Sequence, residues 1–485
     1  MLFSSSGLSE IKDSFVKKVF FGHQPTPELI AILSVYVVQG ILGLARLAVS
    51  FFLKDELALS PAQVSALMGI AALPWVIKPV FGFISDGLPI FGYRRRPYLI
   101  LSGLLGAISW MSLATVVHTA WAATVAIALS SLSVAVSDVI VDSLVVERAR
   151  EESVSESGSL QSLAWGSSAL GGLVTAYFSG YLLQHFSSHS VFAITASFPL
   201  IVSAAAWFIA EERVENSSSR VSKQRPNFSR VRHQLQQLRQ AVTQKAIWLP
   251  AAFIFVWQAT PKADSAFFYF TTNELGFQPE FLGRVRLVTS VASLVGIWIF
   301  QRFLKSVPFR TLFGWTTLLS AILGMTTLIL ATHANRSLGI DDHWFSLGDS
   351  LILTVMGNIA YMPVLVLAAR LCPVGVEATL FALLMSVNNF AGILSHEMGA
   401  VLTYFLGVTE NNFDRLWQLL IITNFSTLLP LLFLGWLPAS DPKAQVQPLK
   451  EIPTKHTPMR EVQQRNQPFI PFVPELLPTV EERLD

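Results

Sequence analysis

The chain has 485 residues, of which 52% are hydrophobic and only 14% charged, and its mean hydropathy is +0.52. A soluble domain carries about 25% charged residues, so a single water-surrounded core does not explain this composition, whereas many lipid-solvated segments do. The net charge of +2 decides little as a sum, and the single cysteine, Cys372, excludes an intramolecular disulfide and a cysteine-built metal cage.

A helix needs about 20 mostly apolar residues to cross the hydrocarbon core. The amino-terminal segment 1–28 is polar, carries Pro25 and Pro27, and shows no cleavable signal peptide. Twelve apolar segments follow, at 29–53, 62–84, 97–117, 121–146, 159–183, 190–210, 246–272, 281–304, 309–331, 347–371, 377–406 and 416–437. Lys and Arg are unevenly shared among their loops: with the amino terminus inside, the inner loops hold seventeen and the outer loops three (Lys54, Arg336 and Arg415). The positive-inside rule then places both termini in the cytoplasm. Arg284 and Arg286, near the outer end of the eighth segment, run against this trend.

The polar stretch 211–245 separates a six-helix half at 29–210 from another at 246–437. Within it Val231, Leu235, Leu238 and Val242 recur at helical spacing, as in a helix lying on the inner membrane surface or a solvated linker helix. Residues 438–485 are rich in Pro and mixed charge and read as a disordered cytoplasmic tail. The halves echo one another. "ELALSP" at 56–61 and "ELGFQP" at 274–279 each follow the first helix of a half, and Phe51-Phe52 match Phe267-Phe268 at an offset of 216, which sets Arg46 on Lys262. A duplicated architecture of this kind places its site near the midplane, between the halves.

The loop between the second and third segments, "SDGLPIFGYRRRPY", spends four charges. Arg94, Arg95 and Arg96 are read as an anchor on the anionic inner leaflet. Asp86 stands at the end of the preceding helix, where a carboxylate can latch the inner face in one state of a rocking carrier. With Gly82 the stretch resembles the major facilitator loop signature, G-x-x-x-D followed by G-R-[RK], although Gly92 comes late and the basic run is long.

Longer blocks resemble the folate–biopterin transporter family of that superfamily: "FFLKDELALSPAQV", "PWVIKPVFGFISDGLPIFGYRRRPY", "DVIVDSLVVERAR", "SGSLQSLAWG", "ATPKADSAFFYFTTNELGF" and "MPVLVLAARLCPVGVEATLFALLMS". The resemblance runs in order from about Pro27 to Pro438. It implies an all-α integral membrane protein of the major facilitator type, twelve transmembrane helices in two six-helix halves. It also implies uptake of folates and related pterins, coupled to protons.

Charges inside membrane helices are expensive and therefore candidates for function. Arg46 lies about 18 residues into the first helix, and Lys262 and Asp264 at similar depth in the seventh, beside Pro261. Arg46 and Lys262, one from each half, suit the two carboxylates of a folate tail, or else pair internally with Asp264 or Asp138. Asp138 and Asp142 share a helix face, and two close carboxylates resist double ionisation, a property a proton-coupling site can use; the alternative is that they pair with Lys or Arg and lock helices together. Glu397, next to His396, is a second proton-site candidate. Gln39, Gln258, Asn358, Asn388 and Asn389 can meet the edge of a pterin ring or bond neighbouring helices. Trp75 and Trp165 can stack on it or serve as ordinary core aromatics. Arg284 and Arg286 are expected at an outer vestibule, drawing in anions or touching lipid phosphate.

No metal-ligand cluster, nucleophile motif or G-x-x-x-x-G-K-[ST] loop is present, so neither an enzyme nor an ATP-driven pump is expected, and no cofactor. The coupling ion expected is a proton. The alternative function is a carrier for another small solute such as a sugar. The partners expected are a small-molecule substrate and a lipid bilayer, with no nucleic acid and with the chain acting as a monomer. The bilayer expected is a cell inner (plasma) membrane or an organelle envelope.

Overall fold

A computed structural model of the chain describes residues 23–149, 159–211, 213, 236, 239–304, 306–372 and 377–438. They are almost wholly helical. The one extended pairing among them is the Ile90–Tyr93 bridge, closed by Phe91 and Gly92 at φ of 53° and 82°. Two successive positive φ values define a tight hairpin turn that glycine enters without strain, which gives Gly92 its place in the arginine loop.

Twelve helical passages follow in chain order: α1 (Pro27–Glu56), α2 (Pro61–Ser85), α3 (Arg96–Thr115), α4 (Ala120–Ala149), α5 (Ser159–His185) and α6 (Ser188–Phe208); then α7a (Lys245–Gln258) with α7b (Asp264–Tyr269), α8 (Pro279–Leu304), α9 (Phe309–Ala331), α10 (Asp342–Arg370), α11 (Glu377–Phe405) and α12 (Leu416–Trp436). Among the described residues, nine of these are long and apolar enough to cross a membrane. Trp298, Trp315 and Phe405 are 60%, 62% and 76% exposed. Side chains of that size stand outward at low cost when the surrounding solvent is hydrocarbon.

The helix starts are written locally. Thr26 caps α1, accepting from Leu29 N at 3.2 Å, with Pro27 at the first turn. Ser60 and Gln63 form a reciprocal capping box ahead of Pro61. Ser187 caps α6, its Oγ accepting from Ser190 N at 3.2 Å. Inside the seventh passage Pro261 removes a backbone donor, and the helix is interrupted between Gln258 and Asp264.

Within the first six helices α1 packs on α5, and α3 on α4 and α6; within the last six, α10 packs on α8 and α9, and α7a on α11 and α12. Two seams join the sets, α2 against α11 and α5 against α8. At the second, Gly180 and Gly283 meet backbone to backbone: a Cβ on Gly180 would lie 2.3 Å from Pro279 O. The odd-numbered passages run from the face where α1 starts, here the proximal face, to the opposite, distal face.

The duplication is visible in the backbone, at an offset of 218. The last turn of α1, Phe52–Glu56, is π-helical, and so is Phe270–Glu274 at the end of α7b. Ala58 (φ 50°) and Gly276 (φ 68°) follow at matching positions, and Pro61 and Pro279 open the next helices. The 216 register read from the phenylalanine pairs therefore gives way to 218. The counterpart of Arg46 is Asp264, and Lys262 falls opposite Leu44.

The surface-helix reading of 231–242 rests mainly on Val231, Leu235 and Leu238, which lie outside the described residues with the side chain of Trp165 and the tail from 439 on; Val242 is described and partly exposed.

Candidate functional site

The densest group of charge inside the helices lies between α1, α2 and α4. Asp138 and Asp142 stand one turn apart on α4, so both face the same neighbours. Lys78 of α2 donates from Nζ to Asp138 and lies 3.4 Å from Asp142 Oδ2. Tyr36 of α1 donates to Asp142 Oδ1 at 2.6 Å. Gln39, one turn further along α1, adjoins Asp138, its Nε2 buried but outside full hydrogen-bond geometry. The Lys78 ammonium also sits 5.5 Å from the centre of the Trp75 ring, a cation–π contact. Trp75 is thereby engaged by a protein cation. Lys78 is absent from the candidates drawn from sequence, because it merges there with an apolar run that reads as helix throughout. With both acids ionised, two negative charges meet one positive charge, and one proton would neutralise the group.

A second group lies on the seam between the two sets. Arg286 of α8 reaches across it, donating from Nη1 to Gly43 O at 3.1 Å and to Ser179 Oγ at 3.2 Å. The Arg46 guanidinium is close enough to act on it electrostatically. The sequence places Arg286 at an outer vestibule beside Arg284. The structure separates the two: Arg284 is exposed and held by Glu280 at 2.6 Å, whereas Arg286 is turned inward.

Lys262 and Asp264 flank the interruption of the seventh passage, both exposed and both within electrostatic reach of His396. The backbone there is pressed against α11: a Cβ on Gly399 would lie 2.1 Å from Lys262 O, and Ser395 donates to Thr260 O at 2.5 Å. Among the described residues no bond joins Lys262 to Arg46; the cation from the last six helices that approaches Arg46 is Arg286. Gln258 faces Gly392 of α11. Asn388 donates to Tyr361 Oη at 3.4 Å while its Oδ1 is buried without a partner. Asn358 is taken up by Ser293 and by Thr354 O, and Asn389 donates across the seam to Trp75 O at 3.1 Å. Glu397 is half-buried, with its carboxylate against Gly69 of α2.

The arginine loop is held within the first six helices. The Glu211 carboxylate, just past α6, accepts from the backbone N–H of Arg94, Arg95 and Arg96, the last two at 3.0 Å, which is an anion seated at the N-terminus of α3. Arg95 donates to Ser85 Oγ at 3.2 Å, and Arg96 to Ile209 O at 2.7 Å. Gly82 packs on Val139 of α4. The side chain of Asp86 lies outside the described residues.

One further carboxylate escaped the sequence reading. Asp349 of α10 is 9% exposed and accepts from Thr326 and from Thr327, the latter at 3.3 Å. Among the described residues no three or more His, Cys, Asp or Glu side chains gather as metal ligands.

Residues 39–455 match the model of the BT1 family. The chain belongs to the BT1 family. A folate-biopterin transporter of Synechocystis sp. is 62% identical over 435 residues, spanning 90% of this chain and 86% of that protein. Folate transporter 2 of Plasmodium falciparum is 33% identical over 407 residues, 83% of this chain and 87% of that one. Among solved structures, a D-xylose-proton symporter superposes with a TM-score of 0.62 at 14% identity, over 86% of this chain and 98% of the other. A peptide transporter bound to sulfate gives 0.64 at 13%, over 86% and 95%. At such identities the likeness is one of fold, and that fold is the major facilitator type. The BT1 relatives are named as transporters, not enzymes.

Proposed function

We propose that this BT1 protein is a secondary transporter of folates and pterins that couples their movement to a proton. The observation that carries the proposal is the near full-length 62% identity to a folate-biopterin transporter, on a helical scaffold whose two sets meet along two seams. Alternating access by rocking of one set against the other fits that layout. On this reading the proximal face is cytoplasmic, by the excess of Lys and Arg in its loops, and the chain works as a monomer in a cell inner membrane or an organelle envelope.

The charge group of Lys78, Asp138 and Asp142 supports the proton. A polyanion entering a compartment that is negative inside is opposed by about 2.3 kcal/mol per charge per 100 mV. Accumulation therefore needs a cotransported cation. The surplus negative charge beside Lys78 is a place for a proton to bind, and its release would restore the full pull of Asp138 and Asp142 on Lys78, a switch in local electrostatics of the kind that biases a two-state scaffold.

The test is tracer uptake by proteoliposomes offered folate, biopterin and xylose in parallel. Saturable uptake of folate or biopterin with none of xylose is expected. Xylose uptake without pterin uptake would transfer the reading to a sugar carrier.

A further inference from the structure

We infer that Arg46 and Arg286 together form a receptor for a carboxylate of the transported solute, an assignment that rests on the folate reading and gives it a specific subsite. The two guanidiniums come from opposite sets, α1 and α8, and meet on the seam where a substrate between repeats would lie. Arg46 is exposed and Arg286 half-buried within its electrostatic reach, so the two like charges repel. Among the described residues no carboxylate pairs with either one. Arg286 is instead held by two neutral acceptors, Gly43 O and Ser179 Oγ, both through Nη1. A guanidinium offers five N–H donors in a fixed fork, so Nη2 remains to meet an incoming anion. It lies against α1 at Gly43, one turn from Arg46 and on the same face. A carboxylate bridging the two forks would relieve the repulsion and gain charge-assisted bonds.

Two features separate this pair from a contact with lipid phosphate. Arg286 is seven residues past Pro279, the first residue of α8, and so about 10 Å along the axis from it at 1.5 Å per residue. Residues 284 and 286 also point about 200° apart on a helix. Arg284 takes the outward direction with Glu280, and Arg286 takes the inward one, toward α1 and α5. The repeat register adds to the point: the counterpart of Arg46 at offset 218 is Asp264, so the last six helices place an acid at the equivalent position and supply the second cation from Arg286 of α8 instead.

The experiment compares folate, which carries a glutamate tail, with biopterin, which has no carboxylate. In Arg46→Gln and Arg286→Gln the ratio of folate to biopterin kcat/KM falls about tenfold or more, with the change chiefly in the folate KM; Arg286→Lys recovers part of it, and Arg284→Gln leaves the ratio as in the unmodified protein. An unchanged ratio in both Gln variants overturns the inference, as does an equal loss of both solutes, which marks a structural role. Should the unmodified protein move neither solute, the transport reading fails separately. The subsite is then decided by the melting temperature of purified protein with p-aminobenzoylglutamate: a rise that both Gln variants lose supports it, and no rise in the unmodified protein overturns it.

Discussion

The two faces of the molecule are held together differently. Near the distal face the hydrogen bonds cross between the two helix sets: Lys54 Nζ donates to Asn273 Oδ1 at 2.8 Å, Tyr269 to Leu59 O, Ser65 to His396 O at 3.0 Å, and the Phe51 and Phe268 rings meet edge to face at 5.3 Å. Near the proximal face the strong contacts among the described residues stay within one set. Glu211 seats the start of α3, and Arg310 of α9 donates to Leu437 O at 2.8 Å beyond α12. A rocking carrier needs contacts that form in one state and break in the other. Among the described residues, the distal contacts have that character. The arginine loop, whose charge density invites a gating role, is tied to the first six helices through Glu211, Ser85 and Ile209, and the gating expectation rests on Asp86, whose side chain lies outside the described residues.

The comparison is broken most severely at Lys78, below the distal contacts and internal to the first set. Lys78→Met leaves Asp138 and Asp142 without their cation. Removing one member of a fully buried charged pair costs about 3–5 kcal/mol; with Lys78 25% and Asp142 41% exposed solvent screens part of that, so Lys78→Met is expected to abolish uptake and to lower thermal stability by less than this amount. Adding Asp138→Asn should return part of the stability, read from the melting temperatures of the single and double variants. Stability unaltered by Lys78→Met would show that the group is solvated. Glu211→Ala is next. It strips three consecutive N–H groups at the start of α3 of their acceptor, and a lost cap of this kind costs about 0.5–2 kcal/mol. Protein abundance should fall while the KM of the remaining carrier is unchanged; a raised KM would tie the corner to the substrate.

Asn273→Ala removes the partner of Lys54 across the distal seam. An exposed charged contact contributes about 0.2–1 kcal/mol, enough to shift a two-state balance a few-fold. Spin labels at Ala62 and Asn411 should then show a larger share of long distances, with the fold intact. An unaltered distribution would mean that the clasp follows the state without biasing it. The smallest effect separates the two repeats themselves. Ala58 holds φ 50° where its counterpart is Gly276. Ala58→Gly should be nearly neutral or stabilising by about 0.5–1 kcal/mol and Gly276→Ala destabilising by a similar amount, because only glycine enters that region freely. Equal and opposite changes in melting temperature would confirm the shared register.

The helices were legible in the sequence because lipid demands long apolar runs, and each of the twelve segments coincides with a helical passage. Pro261 announced its interruption for the same local reason, a missing backbone donor. What sequence could not rank was lateral neighbourhood. Lys78 is one charge within an apolar run, and nothing near it in the chain marks Asp138, sixty residues on, as its partner. Arg286 read as a vestibule residue because it stands two positions from Arg284 near the outer end of the eighth helix; the half-turn that separates their directions is a property of the helix. The repeat register slipped by two because paired phenylalanines match more visibly than the π-turns and positive-φ residues that define it in space.

The most direct measurement of the central claim is folate accumulation by proteoliposomes under an imposed pH gradient. Protein with Lys78, Asp138 and Asp142 intact should concentrate folate toward the alkaline side and lose that ability when a protonophore is added. Asp138→Asn should exchange labelled for unlabelled folate yet fail to concentrate it. Accumulation indifferent to both gradient and protonophore would contradict the account, and a full pH response in Asp138→Asn would move the proton to another carboxylate, with Asp349 and Glu397 the next to replace.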